Sequence, residues 1–190
     1  MRKLIYYVAT TIDGFIAGPA GEFDFFPLDF DMLTALNAEQ PETVPTHLRA
    51  RFGLTDAPNL RFDTVVMGRG TYEPALSEGI TSPYAHLRQY VFSRTLTIED
   101  PQVEIISSDP LAFVRELKQQ EGLDIWLCGG AKLAGLLLPE IDELMIKRYP
   151  VLAGTGIPLF ERPFEPLPLT IVDTRTFPTG ATVTTYRKAA

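Results

Sequence analysis

Ile125-Trp126-Leu127-Cys128-Gly129-Gly130-Ala131-Lys132-Leu133 decides how this chain is to be read. Four apolar residues in a row, Ile125 to Cys128, suit a strand covered on both faces, the kind that parallel sheets use. Two glycines then stand between that strand and a helix that runs to Leu138, where Pro139 closes it. Adjacent glycines at such a junction point to unusual backbone dihedrals or to very close backbone approach. A pyrophosphate seated at the helix start would use both, and tight packing of strand against helix would use them as well. The spacing is not Gly-x-Gly-x-x-Gly, so a standard Rossmann unit is poorly supported.

The same pattern of strand, turn and helix recurs upstream. Thr64 to Met67 (TVVM) runs into Gly68-Arg69-Gly70-Thr71, and Tyr90 to Phe92 runs into Ser93-Arg94. Val103 to Ile106 is followed by Asp109-Pro110, an N-cap and first helical residue. Leu111, Val114 and Leu117 continue that helix, and Gly122 ends it. Leu4 to Thr10 (LIYYVAT) is another buried run, followed by a loop dense in turn residues: Asp13-Gly14, Gly18-Pro19 and Gly21. Leu28 to Leu36 has helical spacing, with Phe30, Leu33 and Leu36 near one face. Pro41, Pro45 and Pro58 divide residues 37–62 into short pieces, with a helix expected around Thr46 to Phe52. Beyond Glu140, Leu144 to Val151, Leu167 to Thr174 and Thr182 to Arg187 alternate more, as antiparallel strands do. The expectation is one α/β domain over residues 1–190: a mainly parallel central sheet flanked by helices, finished by a C-terminal antiparallel hairpin.

Composition removes several functions. The 190 residues are 45% hydrophobic and 22% charged, enough for one domain with a full core. A net charge of -7 argues against nucleic acid as a partner, and Arg49 with Arg51 is the nearest approach to a basic patch. A single cysteine, Cys128, excludes an intrachain disulfide and a multi-thiolate zinc site, so no metal is expected. His47 and His86 lie near arginines in polar surroundings and read as surface residues. Arg2 and Lys3 precede an apolar run, but Leu4 to Ala9 is too short for a signal-peptide core. No segment approaches the ~20 apolar residues of a membrane span, which makes a cytoplasmic setting the expectation. Zinc-dependent nucleobase deamination is excluded, since both H-x-E and C-x-x-C are missing.

Three strand ends carry groups suited to an anionic dinucleotide. Beside the glycine pair, Arg69 offers a fork-shaped cation and Thr71 a hydroxyl, at a turn that threonine capping would equally explain. Ser93 and Arg94 suit a ribose 2′-phosphate, or are simply a polar pair ending a strand. Taken in order, ATTIDGFIA (9–17), VVMGRGTYE (65–73), VFSRTL (91–96) and WLCGGAKL (126–133) resemble the dihydrofolate reductase superfamily. The resemblance is closer to the branch of the bacterial riboflavin-biosynthesis reductase domain and its stand-alone relatives. YPVLAGTGIPLF (149–160) resembles the family segment that passes near the nicotinamide.

The resemblance implies a dihydrofolate reductase-like fold, NADPH as cofactor and a homodimer. It further implies that Ala9 and Ile16 offer backbone groups to the carboxamide, under a loop from Asp13 to Gly21. Gly68, Arg69 and Thr71 would hold phosphates, Ser93 and Arg94 the 2′-phosphate, and Gly129-Gly130 a cis peptide beneath the pyrophosphate. Lys132 stands where the family often has a basic residue, and reads equally as a solvated helix position. Two carboxylates compete for the catalytic acid: Asp29, reached by counting from Ile16, and Asp24, in EFDFF; Asp31 points outward. Phe25 and Phe26 stand where folate enzymes have tryptophan, and residues 37–62 form a larger excursion than theirs. The implied activity is hydride transfer from NADPH to a C=N or C=O group of a small heterocycle. Reduction of 5-amino-6-(5-phosphoribosylamino)uracil leads, with folate reduction or a non-catalytic dinucleotide-binding module as alternatives.

Overall fold

In the computed structural model, which describes residues 1–189, the apolar runs become strands of one sheet. In chain order the strands are β1 (Leu4–Thr10), β2 (Phe15–Ala17), β3 (Phe62–Gly68), β4 (Arg88–Phe92), β5 (Val103–Ile106) and β6 (Asp124–Gly129). They continue as β7 (Ile141–Arg148), β8 (Ile157–Pro158), β9 (Leu169–Thr176) and β10 (Thr182–Lys188). Eight of them pair in the order β5-β4-β3-β6-β1-β7-β10-β9. The pairings from β5 to β7 are parallel, and the two that follow are antiparallel. The fold is α/β, a mainly parallel sheet closed by an antiparallel hairpin.

Alternation along β1 shows why a continuous apolar run was needed. Ile5 and Tyr7 pack on one face with Met32, Leu36 and Tyr72; Leu4 and Tyr6 pack on the other with Val114, Leu117 and Leu137. The first face is covered by α1 (Phe30–Glu39) and α2 (Arg69–Ser77), the second by α3 (Pro110–Gln119) and α4 (Ala131–Leu137). Burying each large side chain of this kind contributes roughly 1.5–3 kcal/mol, so the central strands anchor everything attached to their ends.

Several local expectations change. α1 begins at Phe30 because the Asp29 carboxylate accepts from the Met32 N–H at 2.9 Å, and Phe30 is 70% exposed while Met32 and Leu36 are buried. Residues Thr46–Phe52 form a 3₁₀ helix, not an α-helix. The segment read as Leu144 to Val151 is β7, with Leu144, Met145 and Ile146 all buried because β1 flanks it in parallel and β10 antiparallel. His86 is half-buried: its Nε2–H donates to the Glu42 carbonyl at 2.8 Å, and its Nδ1 meets the Thr46 hydroxyl at 2.9 Å. Burial pushes that imidazole below its ordinary pKa, consistent with a neutral ring in a structural role. The excursion 37–62 is pinned by buried Glu42, which accepts from the N–H groups of Leu60, Arg61 and Phe62. Among the described residues no helix is long and apolar enough to cross a membrane.

Candidate functional site

Adjacent parallel strands aim their carboxyl ends at a cleft of about 900 Å³, lined at β5, β4, β3, β6 and β1 by Ile106, Phe92, Gly68, Gly129 and Val8. Loops leave such an edge in diverging directions, which makes it the usual ligand crevice of open α/β sheets.

The floor is the junction of β6 and α4. The Gly129-Gly130 peptide is cis, and Gly129 has φ +148°. A Cβ on Gly129 would lie 3.0 Å from Thr71 Oγ1, and one on Gly130 3.3 Å from the same atom. A Cβ on Gly68 would meet the Gly130 nitrogen at 3.4 Å. Three backbones and the Thr71 hydroxyl therefore converge with no room for side chains, a surface on which a flat or anionic group can rest close to main-chain atoms.

Cations stand around this floor in different states. Arg69 donates from Nε to Glu73 at 2.6 Å and from Nη1 to Thr95 Oγ1 at 2.8 Å. Arg94 is exposed and has no ion pair or side-chain hydrogen bond among the described residues. Ser93 Oγ accepts from the N–H groups of Thr95 and Leu96, which shapes the turn and leaves its own proton to donate. Lys132 lies at the rim, 81% exposed and 3.9 Å from Glu161.

The remaining predicted residues divide. Ile16 lines the cleft from β2, which pairs with β8 in a small second sheet. Asp13 holds the start of that loop, accepting from Thr11 and from the N–H groups of Ala153 and Gly154. Hydrogen bonding from Thr11, then from the two N–H groups, lowers its carboxyl pKa. Ala9 does not line the cleft; its neighbour Val8 does, and Ala9 pairs with Lys147 of β7. Asp24 is exposed and also outside the lining. Asp29 is 2% exposed, with one oxygen capping α1 and the other accepting from the Thr179 hydroxyl.

Three groups at the inner end were missed in the sequence. Tyr84 and Cys128 line the cleft together, and burial pushes the Cys128 thiol up to about 12 and the Tyr84 phenol well above its ordinary value. Lys147 stands beside Cys128 but outside the lining, its Nζ 4.5 Å from the centre of the Tyr7 ring. The one available signal was a lysine inside the apolar run LMIK.

The RibD C-terminal domain model matches residues 2–183. The chain belongs to that family. It is 32% identical over 198 residues to the uncharacterized protein YyaP of Bacillus subtilis (strain 168), covering 97% of this chain and 94% of YyaP. Among solved structures, a protein from Shewanella sp. PV-4 named for riboflavin biosynthesis superposes with TM-score 0.70 at 25% identity, covering 100% of both chains. Dihydrofolate reductase from Enterococcus faecalis, complexed with NADP(H), superposes with TM-score 0.65 at 14% identity. That match covers 99% of this chain and 97% of the enzyme, and shows the shared fold. The family places the chain among RibD C-terminal reductase-like domains with the dihydrofolate reductase fold.

Proposed function

We propose that the chain is an NADPH-dependent reductase of a small heterocyclic substrate, of the 5-amino-6-(5-phosphoribosylamino)uracil reductase type. The observation that carries this is the convergence of Arg69, Ser93, Arg94 and the bare Gly129-Gly130 floor on one cleft. The donor set fits the cofactor: Thr71 and the glycine backbone suit the pyrophosphate, and Ser93 with unpaired Arg94 suits a 2′-phosphate. When bound, the nicotinamide would supply a hydride to a C=N or C=O carbon. The chain's own work is to bind, orient and exclude water: Ile16, Ala17 and Phe23 form an apolar wall over the inner cleft.

We assign the proton supply to Asp29 ahead of Asp24. Neither carboxylate is among the residues that line the cleft, but Asp24 is exposed, whereas Asp29 is buried and its carboxylate is held by the Thr179 hydroxyl. The proposal includes a homodimer and a cytoplasmic setting, which sedimentation and cell fractionation would test. Its central test is loss of NADPH absorbance with phosphoribosylaminouracil or dihydrofolate as substrate. Turnover of the uracil compound is expected. Saturable NADPH binding with no turnover of either would leave a dinucleotide-binding module instead.

A further inference from the structure

Of the seven tyrosines, Tyr84 is the one that lines the cleft. It is held there from several sides. Its N–H donates at 2.9 Å to the side-chain oxygen of Gln89, which is 2% exposed and donates in turn to Ser82 Oγ and the Gln102 carbonyl. Its carbonyl accepts from the Leu87 N–H at 2.8 Å. Its ring meets buried Trp126 edge to face, with centroids 4.9 Å apart, and Trp126 is itself fixed by a hydrogen bond from Nε1 to the Tyr7 carbonyl. Main chain and ring are thus anchored, and one group is left free. The Tyr84 hydroxyl makes no hydrogen bond to a protein oxygen or nitrogen among the described residues, and it is not sealed into the core as an orphan. Tyr6 and Tyr72, by contrast, give their hydroxyl protons to the carbonyls of Leu159 and Thr81. The polar side chains near Tyr84 are the Cys128 thiol, a weak partner, and the Tyr7 phenol. A tyrosine hydroxyl at such a depth ordinarily finds an acceptor, and here the open side is the cleft.

We propose that the Tyr84 hydroxyl is a catalytic hydrogen-bond donor to the substrate, meeting the carbonyl oxygen or imine nitrogen that gains charge during reduction. This rests on the reductase reading of the cleft and adds a residue that touches the reacting bond. As hydride brings two electrons from the dihydronicotinamide and forms the new C–H bond, the π pair of the C=O or C=N bond moves onto the heteroatom. Tyr84 steadies that charge with its own O–H bond intact, and the proton that completes the reduction comes from the acid assigned above. Two features suit it to the task. Burial pushes the phenol well above its ordinary pKa, so the donor keeps its proton at neutral pH. Anchoring by Gln89 and Trp126 means that no reorganisation is needed as the charge develops, which is where fixed donors in apolar surroundings are most effective.

The test is Tyr84→Phe, which removes one oxygen and keeps the ring on Trp126. Two readouts are taken on protein with a normal circular dichroism spectrum, and NADP⁺ affinity is expected to be unchanged. The first is the single-turnover rate of NADPH oxidation with phosphoribosylaminouracil or dihydrofolate, which should fall by about tenfold or more. The second needs no turnover: 4-nitrophenolate, a flat ring with one anionic oxygen, is titrated by absorbance into NADP⁺-loaded protein. Wild type should bind it, and Tyr84→Phe should bind it about tenfold or more weakly. Wild type that refuses the phenolate overturns the proposal, as does a variant that matches wild type in either readout. Phenolate held through Tyr84, with no NADPH oxidised by wild type, would sink the reductase reading and leave the donor standing. Turnover equal in wild type and variant would sink the donor alone.

Discussion

Replacing Arg94 by alanine separates a dinucleotide cleft that reads the 2′-phosphate from one that does not. Arg94 is exposed and has no ion pair or hydrogen bond among the described residues, so an incoming phosphate has no protein partner to displace. A hydrogen bond to a charged group contributes about 1.5–3 kcal/mol. Because the side chain is exposed, solvent screening favours the low end, about 1.5–2 kcal/mol, or roughly 10- to 30-fold in affinity. Arg69 gives a built-in comparison. It must first leave Glu73, in an ion pair whose side chains are 51% and 45% exposed. Such pairs are worth about 0.2–1 kcal/mol, so Arg69→Ala should cost up to about fivefold less than Arg94→Ala. For the same reason Glu73→Gln should tighten NADPH slightly. Fluorescence titration of NADPH and NADH against wild type and the three variants reads all of this. The NADPH/NADH ratio is expected to collapse in Arg94→Ala with NADH affinity nearly constant. A preserved ratio, or an equal loss for both cofactors, refutes the assignment.

Asp29→Ala should lower stability by about 1–2 kcal/mol through loss of the α1 cap, seen as a lower melting temperature. Asp29→Asn keeps a good cap and should melt near wild type while losing turnover; retained turnover would leave the carboxylate as a cap only. Gly129→Ala places a Cβ 3.0 Å from Thr71 Oγ1 at φ +148°, and should weaken NADPH binding by about tenfold or more, measured by titration on protein with a normal circular dichroism spectrum. Glu143 is 3% exposed; burial raises its pKa, but hydrogen bonds from Lys3 and Arg187 outweigh this and the net shift is downward. A lowered folded pKa means stability that is present above the ordinary value of 4.5 and lost as pH falls through the folded value. Glu143→Gln should therefore be less stable than wild type at pH 7, with the gap closing in denaturation curves taken below pH 4.5.

The strands around the cleft were legible because their cause is local. A segment buried on both faces must be apolar throughout, so TVVM and IWLC announce themselves, and glycines at the ends of β3 and β6 mark where side chains have no room. Asp109-Pro110 was equally readable, since a cap and a fixed φ act within one turn. The contacts that were missed act across long separations. Glu42 ties down a loop through N–H groups 18 to 20 positions away, and Asp29 meets Thr179 from 150 positions away. Nothing in the local pattern distinguishes such a carboxylate from an ordinary loop acid. Lys147 is the same case: in sequence it is one lysine among seventeen basic residues. Only the pairing of β7 between β1 and β10, with Tyr7, Tyr149 and Cys128 gathered around it, makes it a cation without a counter-ion. Periodicity and turn chemistry determined the elements and the edge of the sheet that carries the cleft. Strand order and register decided which charges face it, because charges are paired or orphaned by neighbours in space and not by neighbours in the chain.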